Sequence, residues 1–414
     1  MHLESDNAPP TAIPTTVKRL GAVSFLNDVS SEMIYPIIPL FLVGVLKVPL
    51  ATIGVIEGIV EGIASLLRIL SGWWSDRVGR RKPLVVAGYG LSTASRLLLA
   101  AATVWPMVFA ARLLDRFGKG MRTAARDAWI ADVTPLEIRG KAFGYHRSFD
   151  TIGAVVGPLI AALLLWVLLE NYRIIFLISF VPGVLALIVL LRLPERPLSR
   201  DRSPGPAPAA TPKISWKSLP RPLWIFLMAS TLFALGNSSD VFLLLRGKDL
   251  GWSSLEVTLA YALYNLTYAL TSYPAGWLSD RLPRRWIVAT GWLIFAGSYL
   301  TTGLLTSPDW LWLIFALYGV SVGCTEGVGK ALLADLAPKE MRASVYGLLG
   351  LLTSVAGLLA SIWFGVVWGI YGAASAFSLS ASLAVISALS LIWISLVRKR
   401  TLENMKDIPN ESTR

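Results

Sequence analysis

Ionisable side chains recur at helical spacing inside the apolar first half of the chain, and they are the residues best suited to chemistry. At about 100° per residue, five basic positions fall within an arc of roughly 120° on one face of a single helix; they are Arg112, Arg116, Lys119, Arg122 and Arg126. An ionised group among apolar side chains is costly unless it faces another charge or water. This basic stripe is therefore predicted to face an aqueous cavity.

Acidic residues are available to balance the basic stripe. Asp28 and Glu32 lie one helical turn apart in an earlier apolar stretch. An acid beside a base in such a cavity can gain and lose a proton, because desolvation favours the neutral acid and a nearby cation favours the carboxylate. Asp28, Glu32 and Asp150 are the predicted protonation sites, and Arg112 and Arg116 are predicted to modulate them or to hold an anion.

A further helix in each half carries a polar face. Glu57 and Glu61 lie one turn apart, and Tyr261 and Asn265 occupy the corresponding positions 204 residues later. An aromatic and amide surface suits the orientation of an organic ligand. The other cavity candidates in the second half are Asp240, Tyr268 and Glu326.

The elements that must position these residues are membrane-spanning helices. Of 414 residues, 54% are hydrophobic and 15% are charged, against roughly 25% charged in soluble proteins. So apolar a composition excludes a disordered chain. It also argues against a soluble enzyme, because a soluble core cannot bury so much apolar surface. Apolar stretches long enough to span a bilayer are predicted at 20–46, 52–75, 83–104, 106–131, 139–168, 172–193, 222–246, 255–278, 286–306, 310–335, 341–369 and 372–397.

A segment rich in proline and arginine divides these spans into two sets of six. Its composition cannot form a core and predicts a flexible linker. The predicted divisions are a cytoplasmic N-terminal tail at 1–19, a six-helix bundle at 20–193, a cytoplasmic linker at 194–221, a second six-helix bundle at 222–397 and a cytoplasmic C-terminal tail at 398–414. The predicted fold class is an all-α membrane protein with twelve transmembrane helices in two pseudo-symmetric six-helix bundles.

Basic residues are concentrated in alternate breaks between the spans, and this asymmetry predicts the orientation. The formal net charge is +12, and most of the excess falls in the linker, in the C-terminal tail and in the breaks after even-numbered spans. The positive-inside rule then places both termini in the cytoplasm. The excess is thereby explained without nucleic-acid binding, and the predicted location is the cytoplasmic (inner) membrane.

Two motifs occur once in each half at nearly one spacing. The sequence at 72–81, which begins Gly72-Trp73-Trp74-Ser75-Asp76, matches the sequence at 276–285, and the sequence at 131–135 matches that at 334–338. Internal repeats of this kind are typical of secondary transporters, whose sites lie at the interface of the repeats.

The motif at 72–81 resembles the loop signature of the major facilitator superfamily, G-x-L-a-D-R-x-G-R-K/R. The motif at 276–285 resembles it again, with Pro283 in place of the second glycine, and the sequence from Leu113 to Gly120 is similar to the family's fourth-span motif, with Lys119 where glutamine is usual. The resemblance implies the fold of that superfamily. With no nucleotide-binding loop in the sequence, it also implies transport driven by an ion gradient.

The resemblance further implies a cytoplasmic gate. Its glycines would let helices approach closely, Asp76 would face the N-terminus of a neighbouring helix, and Arg77 and Arg80 would pair with Asp132. The predicted gate residues are Gly72, Asp76, Arg77, Gly79, Arg80, Asp132, Gly276, Asp280, Arg281 and Arg284.

Gly153, Gly157 and Pro158 resemble the fifth-span motif of antiporters in the same superfamily. This implies proton-coupled efflux of a small organic solute by alternating access. The basic stripe favours an alternative, which is proton-coupled uptake or exchange of an anionic metabolite. A third interpretation is a non-transporting membrane receptor, which would not need matched polar faces in both halves.

Enzymatic chemistry is not predicted. The only histidines are His2 and His146, and the sequence has no cluster of metal ligands, so we expect no catalytic residue, cofactor or metal. The single cysteine, Cys324, allows no intrachain disulfide. The predicted partners are a small-molecule substrate, protons and the lipid bilayer, with no nucleic acid, and the chain is expected to be a monomer.

Overall fold

The computed structural model describes residues 12–78, 81–194, 220–338 and 341–406, and these contain helices and no strand. Most of the predicted linker lies outside the described residues, and the predicted tails are described at 12–19, where α1 begins, and at 398–406, where α14 ends. The helices are α1 (Thr15–Ile34), α2 (Ile37–Gly44), α3 (Leu50–Val78), α4 (Lys82–Ala100), α5 (Trp105–Val133), α6 (Arg139–Val167), α7 (Tyr172–Leu191), α8 (Arg221–Gly236), α9 (Val241–Asp249), α10 (Ser254–Ser279), α11 (Arg284–Leu304), α12 (Leu311–Leu336), α13 (Arg342–Tyr371) and α14 (Ala373–Lys406), with a 3₁₀ turn at Leu136–Ile138.

Each predicted span coincides with a helix, and two of the spans are broken helices. The span at 20–46 consists of α1 and α2, separated at Pro36, which has no N–H to donate to a continuing helix. The span at 222–246 consists of α8 and α9, separated by the residues at 237–240. That break contains asparagine, serine and aspartate, which favour helix caps over helix interiors, and the Ser239 hydroxyl accepts from the Val241 N–H at 3.4 Å.

Within the described part of the chain, eight helical segments are long and apolar enough to cross a membrane: α4, α6 with its 3₁₀ turn, α7, α8 with α9, α11, α12, α13 and α14. The other long helices are α1, α3, α5 and α10. These four carry most of the acidic, basic and polar positions that the sequence assigns to a cavity. The least apolar helices are therefore the ones expected to face water or other polar helices.

The chain divides into two compact units. The first consists of Met1–Val48, Val60–Ser203 and Trp252–Ala262, and the second of Pro49–Ile59, Pro204–Gly251 and Leu263–Arg414. Two helices are divided between the units: α3 begins in the second unit and continues in the first, and α10 begins in the first and continues in the second.

The two units use the same packing scheme. In the first, α1 packs on α6 and α7, while α4 packs on α5 and α7. In the second, α8 packs on α13 and α14, while α11 packs on α12 and α14. These are corresponding pairs in the two sequence repeats, so the pseudo-symmetry predicted from the motifs is present in the structure. Side chains such as Leu20 and Ile130 form the core of the first unit, and side chains such as Leu227 and Trp292 form that of the second.

Candidate functional site

A charged cavity of the first unit lies along the basic stripe of α5. About 30 Å³ of it is accessible to water, and its charged lining residues are Glu32, Arg96, Arg112, Asp115, Arg116, Lys119 and Arg122. Five of these side chains are basic and two are acidic. Clustered charges of one sign at low-dielectric walls concentrate ions of the opposite sign. The cavity can therefore hold an anionic group or an ionised acid.

Two members of the basic stripe are held by neighbouring helices. Arg122 donates to Ser92 Oγ of α4 at 2.6 Å, and its guanidinium lies 4.5 Å from the centroid of the Tyr89 ring. Arg126 donates to Ser24 Oγ of α1 at 3.1 Å. These contacts fix the C-terminal part of the stripe and leave its N-terminal part to face the cavity.

Arg116 and Lys119 meet α3 at one end of the cavity. Arg116 Nη2 lies 2.8 Å from Glu61 Oε1, and both residues line a second cavity together with Lys119, of which about 90 Å³ is accessible to water. Lys119 is exposed to this space. Among the described residues it has no ion pair within 4 Å, and the acids that act on it electrostatically are Asp28 and Glu32.

Arg96 and Asp115 form a buried pair that is absent from the predicted site residues. Arg96 Nη1 lies 2.8 Å from Asp115 Oδ1, and the Arg96 side chain is only 1% exposed. The same guanidinium donates to Ser95 Oγ at 2.6 Å and to Ser30 Oγ at 3.4 Å. The sequence signal that could have found this pair is the presence of Arg96 in an apolar span, because an arginine there needs an acidic or polar partner. The pair fixes the wall of the cavity between α4 and α5.

The antiporter-like glycines press α6 against the turn of α1 that carries the acids. A Cβ atom at Gly153 would lie 2.9 Å from Asp28 Cβ, and one at Gly157 would lie 3.0 Å from Glu32 Cβ and 2.9 Å from the Val29 carbonyl oxygen. Only glycine fits so close an approach. Pro158 follows within the same helix.

Asp150 lies on α6 one turn before Gly153, and its nearest basic neighbour on that helix is His146. His146 Nδ1 lies 3.7 Å from Asp150 Oδ2, and both side chains are largely buried. Asp150 acts electrostatically on Asp28 across the contact between α6 and α1. The three predicted protonation sites, Asp28, Glu32 and Asp150, are thus brought to one packed region.

An aromatic layer connects Glu32 to Arg112. The Tyr261 hydroxyl of α10 donates to Glu32 Oε2 at 2.8 Å, and the Tyr261 ring stacks on Tyr35 with a centroid distance of 5.2 Å. The Arg112 guanidinium lies 5.6 Å from the centroid of the Tyr35 ring. Tyr35 is absent from the predicted site residues, and its place beside Pro36 at the helix break is the signal that could have found it.

The second unit holds the remaining predicted cavity residues, and most of them contact a tyrosine or are tyrosines. Asp240 accepts a hydrogen bond from the Tyr318 hydroxyl, and the rings of Tyr264 and Tyr318 lie 5.2 Å apart. The Tyr268 hydroxyl donates to Glu326. Asn265 is buried on the same helix as Tyr268.

Glu57 belongs to the second unit, while Glu61 belongs to the first. Its carboxylate accepts from Ser239 Oγ at 3.1 Å, and its side chain is 1% exposed. The Ser239 N–H in turn donates to Ser361 Oγ at 3.2 Å. Neighbouring turns of α3 lie in different units, which is why two glutamates on one helix face reach different surroundings.

The gate motif can be followed mainly in its second copy. Arg284 forms ion pairs with Asp335 at 2.8 Å and with Asp280 at 3.1 Å. The Arg281 guanidinium lies 3.7 Å from the centroid of the Trp277 ring. A Cβ atom at Gly276 would meet nothing within 4 Å, and the role predicted for this glycine in the gate stays a prediction.

In the first copy, Asp132 contacts Arg81. The distance from Arg81 Nε to Asp132 Oδ2 is 3.3 Å; Arg81 was not among the predicted gate residues. Gly79 and Arg80 lie outside the described residues. Gly72, Asp76 and Arg77 lie on α3, but their surroundings are also outside the described part of the chain.

Comparisons with known proteins place this architecture in a family. The sequence profile of the Major Facilitator Superfamily matches residues 20–246 and 233–412. An uncharacterized MFS-type transporter of Methanocaldococcus jannaschii is 35% identical over 399 residues, which cover 95% of this chain and 98% of that protein.

Two further comparisons are more distant. A Na⁺, Li⁺, K⁺/H⁺ antiporter of Planococcus maritimus is 24% identical, covering 94% of this chain and 97% of that protein. A crystal structure of a POT family transporter in complex with 5-aminolevulinic acid shares the fold with a TM-score of 0.76 at 16% identity, over 92% of this chain and 96% of that chain. The chain therefore belongs to the major facilitator superfamily and is a multi-pass membrane transporter of a small molecule rather than an enzyme.

Proposed function

We propose that this transporter exports a small organic solute in exchange for protons, by alternating access. The observation that carries the proposal is the position of Glu32. Its carboxyl lines the basic cavity and accepts a hydrogen bond from the Tyr261 hydroxyl. Glu32 also lies on the turn of α1 that is packed against Gly157. A change in its charge therefore alters the charge of the cavity, the hydrogen bond to Tyr261 and the electrostatics of the contact between α1 and α6.

Proton binding changes the charge of the cavity by one unit, and this provides the coupling. Ionised Glu32 offsets part of the positive charge of Arg112, Arg116 and Lys119. When Glu32 is protonated it is no longer an ionised acceptor for a solute group that donates a hydrogen bond. A proton and such a solute then compete for one carboxylate, and competition of this kind gives antiport.

The antiporter-like motif and a relative support exchange with protons. Gly153 and Gly157 make the close contact between α1 and α6 that the motif implies. The Planococcus relative, similar over 94% of this chain, is named as an antiporter that exchanges alkali cations for H⁺.

Glu32→Gln tests the coupling, because glutamine keeps the size and a hydrogen-bond acceptor but cannot titrate. A toxicity and accumulation screen with labelled organic cations, anions and neutral solutes, in cells lacking or overexpressing the protein, first identifies a transported solute. In proteoliposomes the variant should then lose pH-driven transport of that solute and retain solute counterflow.

Glu137→Gln, at an exposed glutamate of the 3₁₀ turn, is the matched control and should behave as the wild type. Unchanged pH-driven transport in Glu32→Gln and in Asp28→Asn would remove the assignment of these acids.

Uptake or exchange of an anionic metabolite is the second candidate function, and the excess of bases in the cavity favours it. An anion would be attracted by the five basic lining residues, and protonation of Glu32 would strengthen its binding, so proton and solute would move in the same direction. The same screen separates the candidates. Overexpression should lower the accumulation of the solute for efflux and raise that of an anion for uptake.

A further inference from the structure

The second unit contains a large cavity at the end where α8 and α11 begin. About 340 Å³ of it is accessible to water, and it is lined by the N-terminal ends of α8 and α11, by the C-terminal end of α12 and by α14. Its base is apolar, with Phe226 and Leu391 almost fully buried. Its rim carries Arg284, Arg285 and Asp335. A pocket with an apolar base and a basic rim is suited to an amphiphile with an anionic head.

The two arginines at the rim differ in what they contact. Arg284 Nη1 donates to both Asp335 oxygens at 2.8 Å, and its Nη2 donates to Asp280 at 3.1 Å. Arg285 forms no hydrogen bond or ion pair with the described residues, and its Nε is buried without a partner. A buried guanidinium nitrogen in this state is costly, which points to a ligand.

The arginine at the corresponding position of the first sequence repeat has a hydrogen-bond partner within the protein. Arg81 corresponds to Arg285, and its Nε contacts Asp132 at 3.3 Å. The next residue, Lys82, donates to the carbonyl oxygens of Leu191 and Leu193 at 2.9 and 2.6 Å. In the second repeat the aspartate that corresponds to Asp132 is Asp335, which forms its ion pair with Arg284. Trp286 stands at the position of Lys82.

Two exposed tryptophans lie near Arg285 in the sequence. Trp286, the next residue, is 42% exposed and Trp277 is 48% exposed, and tryptophan is enriched at the level of lipid headgroups. The cavity lies at the end of the second unit that the charge distribution predicts to be cytoplasmic. Basic pockets between helices on that side are suited to anionic lipid headgroups. The α11 helix also begins at Arg284, so the positive end of its dipole points to the same place.

We propose that this cavity binds the phosphate headgroup of an anionic phospholipid, with Arg285 as its contact and Phe226 and Leu391 against the first part of an acyl chain. The ligand chemistry is a phosphodiester joined to an apolar tail. This site is separate from the cavity along the basic stripe and does not depend on which solute is transported.

The test is binding of phosphatidylglycerol to the purified full-length chain, measured by native mass spectrometry. Arg285→Gln should weaken binding about tenfold, since one charge-assisted hydrogen bond is lost. Arg285→Lys should keep most of the affinity. Arg342→Gln removes one exposed arginine from the start of α13 and serves as the matched control, which should bind as the wild type does.

Two further binding measurements distinguish a lipid headgroup from free phosphate. Phosphatidylcholine should bind the wild type more weakly than phosphatidylglycerol, and inorganic phosphate alone should bind no better to the wild type than to Arg285→Gln. Equal binding of phosphatidylglycerol by the wild type and Arg285→Gln would overturn the proposal. Phosphate binding that depends on Arg285 and displaces the lipid would overturn the lipid assignment and identify a free-phosphate site.

Discussion

At the residue scale, Arg96 is a charged side chain of the first unit that is almost fully buried. Its guanidinium is 1% exposed and faces Asp115, which is 21% exposed. A buried arginine left without its acid, or the acid left without the arginine, retains an uncompensated charge. The pair therefore contributes more to the stability of the cavity wall than to binding.

Arg96→Met should lower the free energy of unfolding by about 2 kcal/mol, which is below the range of about 3–5 kcal/mol for a fully buried pair because Asp115 is partly exposed to the cavity. The double variant Arg96→Met/Asp115→Leu should recover part of this loss. Thermal unfolding of the purified protein in detergent measures both, and equal midpoints for the single and double variants would show that the two charges are not coupled.

Helical spacing was sufficient to group some of the site residues and not others. Arg112, Arg116 and Lys119 share a face because 3.6 residues per turn fixes it, and all three line one cavity. Glu57 could not be placed by spacing, since its surroundings depend on which unit its turn of α3 contacts. Asp132 contacts Arg81 in the first gate loop. Spacing alone could not select this arginine, because the contact depends on side-chain conformation.

At the scale of helices, the contact between α1 and α6 determines where the acids lie. A Cβ atom at Gly157 would come within 3.0 Å of the Met33 nitrogen and within 2.9 Å of the Val29 carbonyl. Both are backbone atoms, which cannot move aside as a flexible side chain can. The acids are therefore held by the backbone of a neighbouring helix.

Gly157→Ala should lower the free energy of unfolding by about 1–2 kcal/mol, because overpacking costs about 1–3 kcal/mol and the gain in helix propensity returns at most about 1 kcal/mol. Gly90→Ala is the matched control, since a Cβ atom there would meet nothing within 4 Å. It should leave the unfolding midpoint unchanged or raise it. A Gly157→Ala midpoint at or above that of Gly90→Ala would contradict the close contact.

The helix positions were predictable, while the helix breaks were only partly so. Apolar stretches of about 20 residues set the spans, and the helices follow them. Pro36 is a signal for the break between α1 and α2, because proline has no N–H to donate, although Pro158, Pro182 and Pro274 lie inside continuous helices. The break at 237–240 contains no proline. Residues that favour caps also occur within helices, so their presence there did not predict a break.

At the scale of the whole molecule, the repeat governs the architecture. Corresponding helices pack in the same pairs in both units, yet the polar side chains differ, with bases in the first unit and tyrosines in the second. A duplicated fold with diverged cavities allows each unit a different task, and the orientation predicted from the basic residues applies to both.

Cysteine labelling tests that orientation. Cys324→Ala removes the only cysteine and should leave expression unchanged. In that background, Thr306→Cys, in the exposed turn after α11, should react in intact cells with a maleimide that cannot cross membranes. Ser199→Cys, in the predicted cytoplasmic linker, should react only after permeabilisation. The reverse pattern would invert the topology.

The division of α10 between the units has a consequence for biosynthesis. The first unit includes Trp252–Ala262, which a ribosome adds only after the linker and the next two helices have been made. Translation at about 5–20 residues per second therefore separates the emergence of residue 203 from that of residue 262 by roughly 3–12 s. Throughout that interval the nascent first bundle lacks Tyr261, so Glu32 has no hydrogen bond from the Tyr261 hydroxyl. A polypeptide truncated at the linker would never form that hydrogen bond.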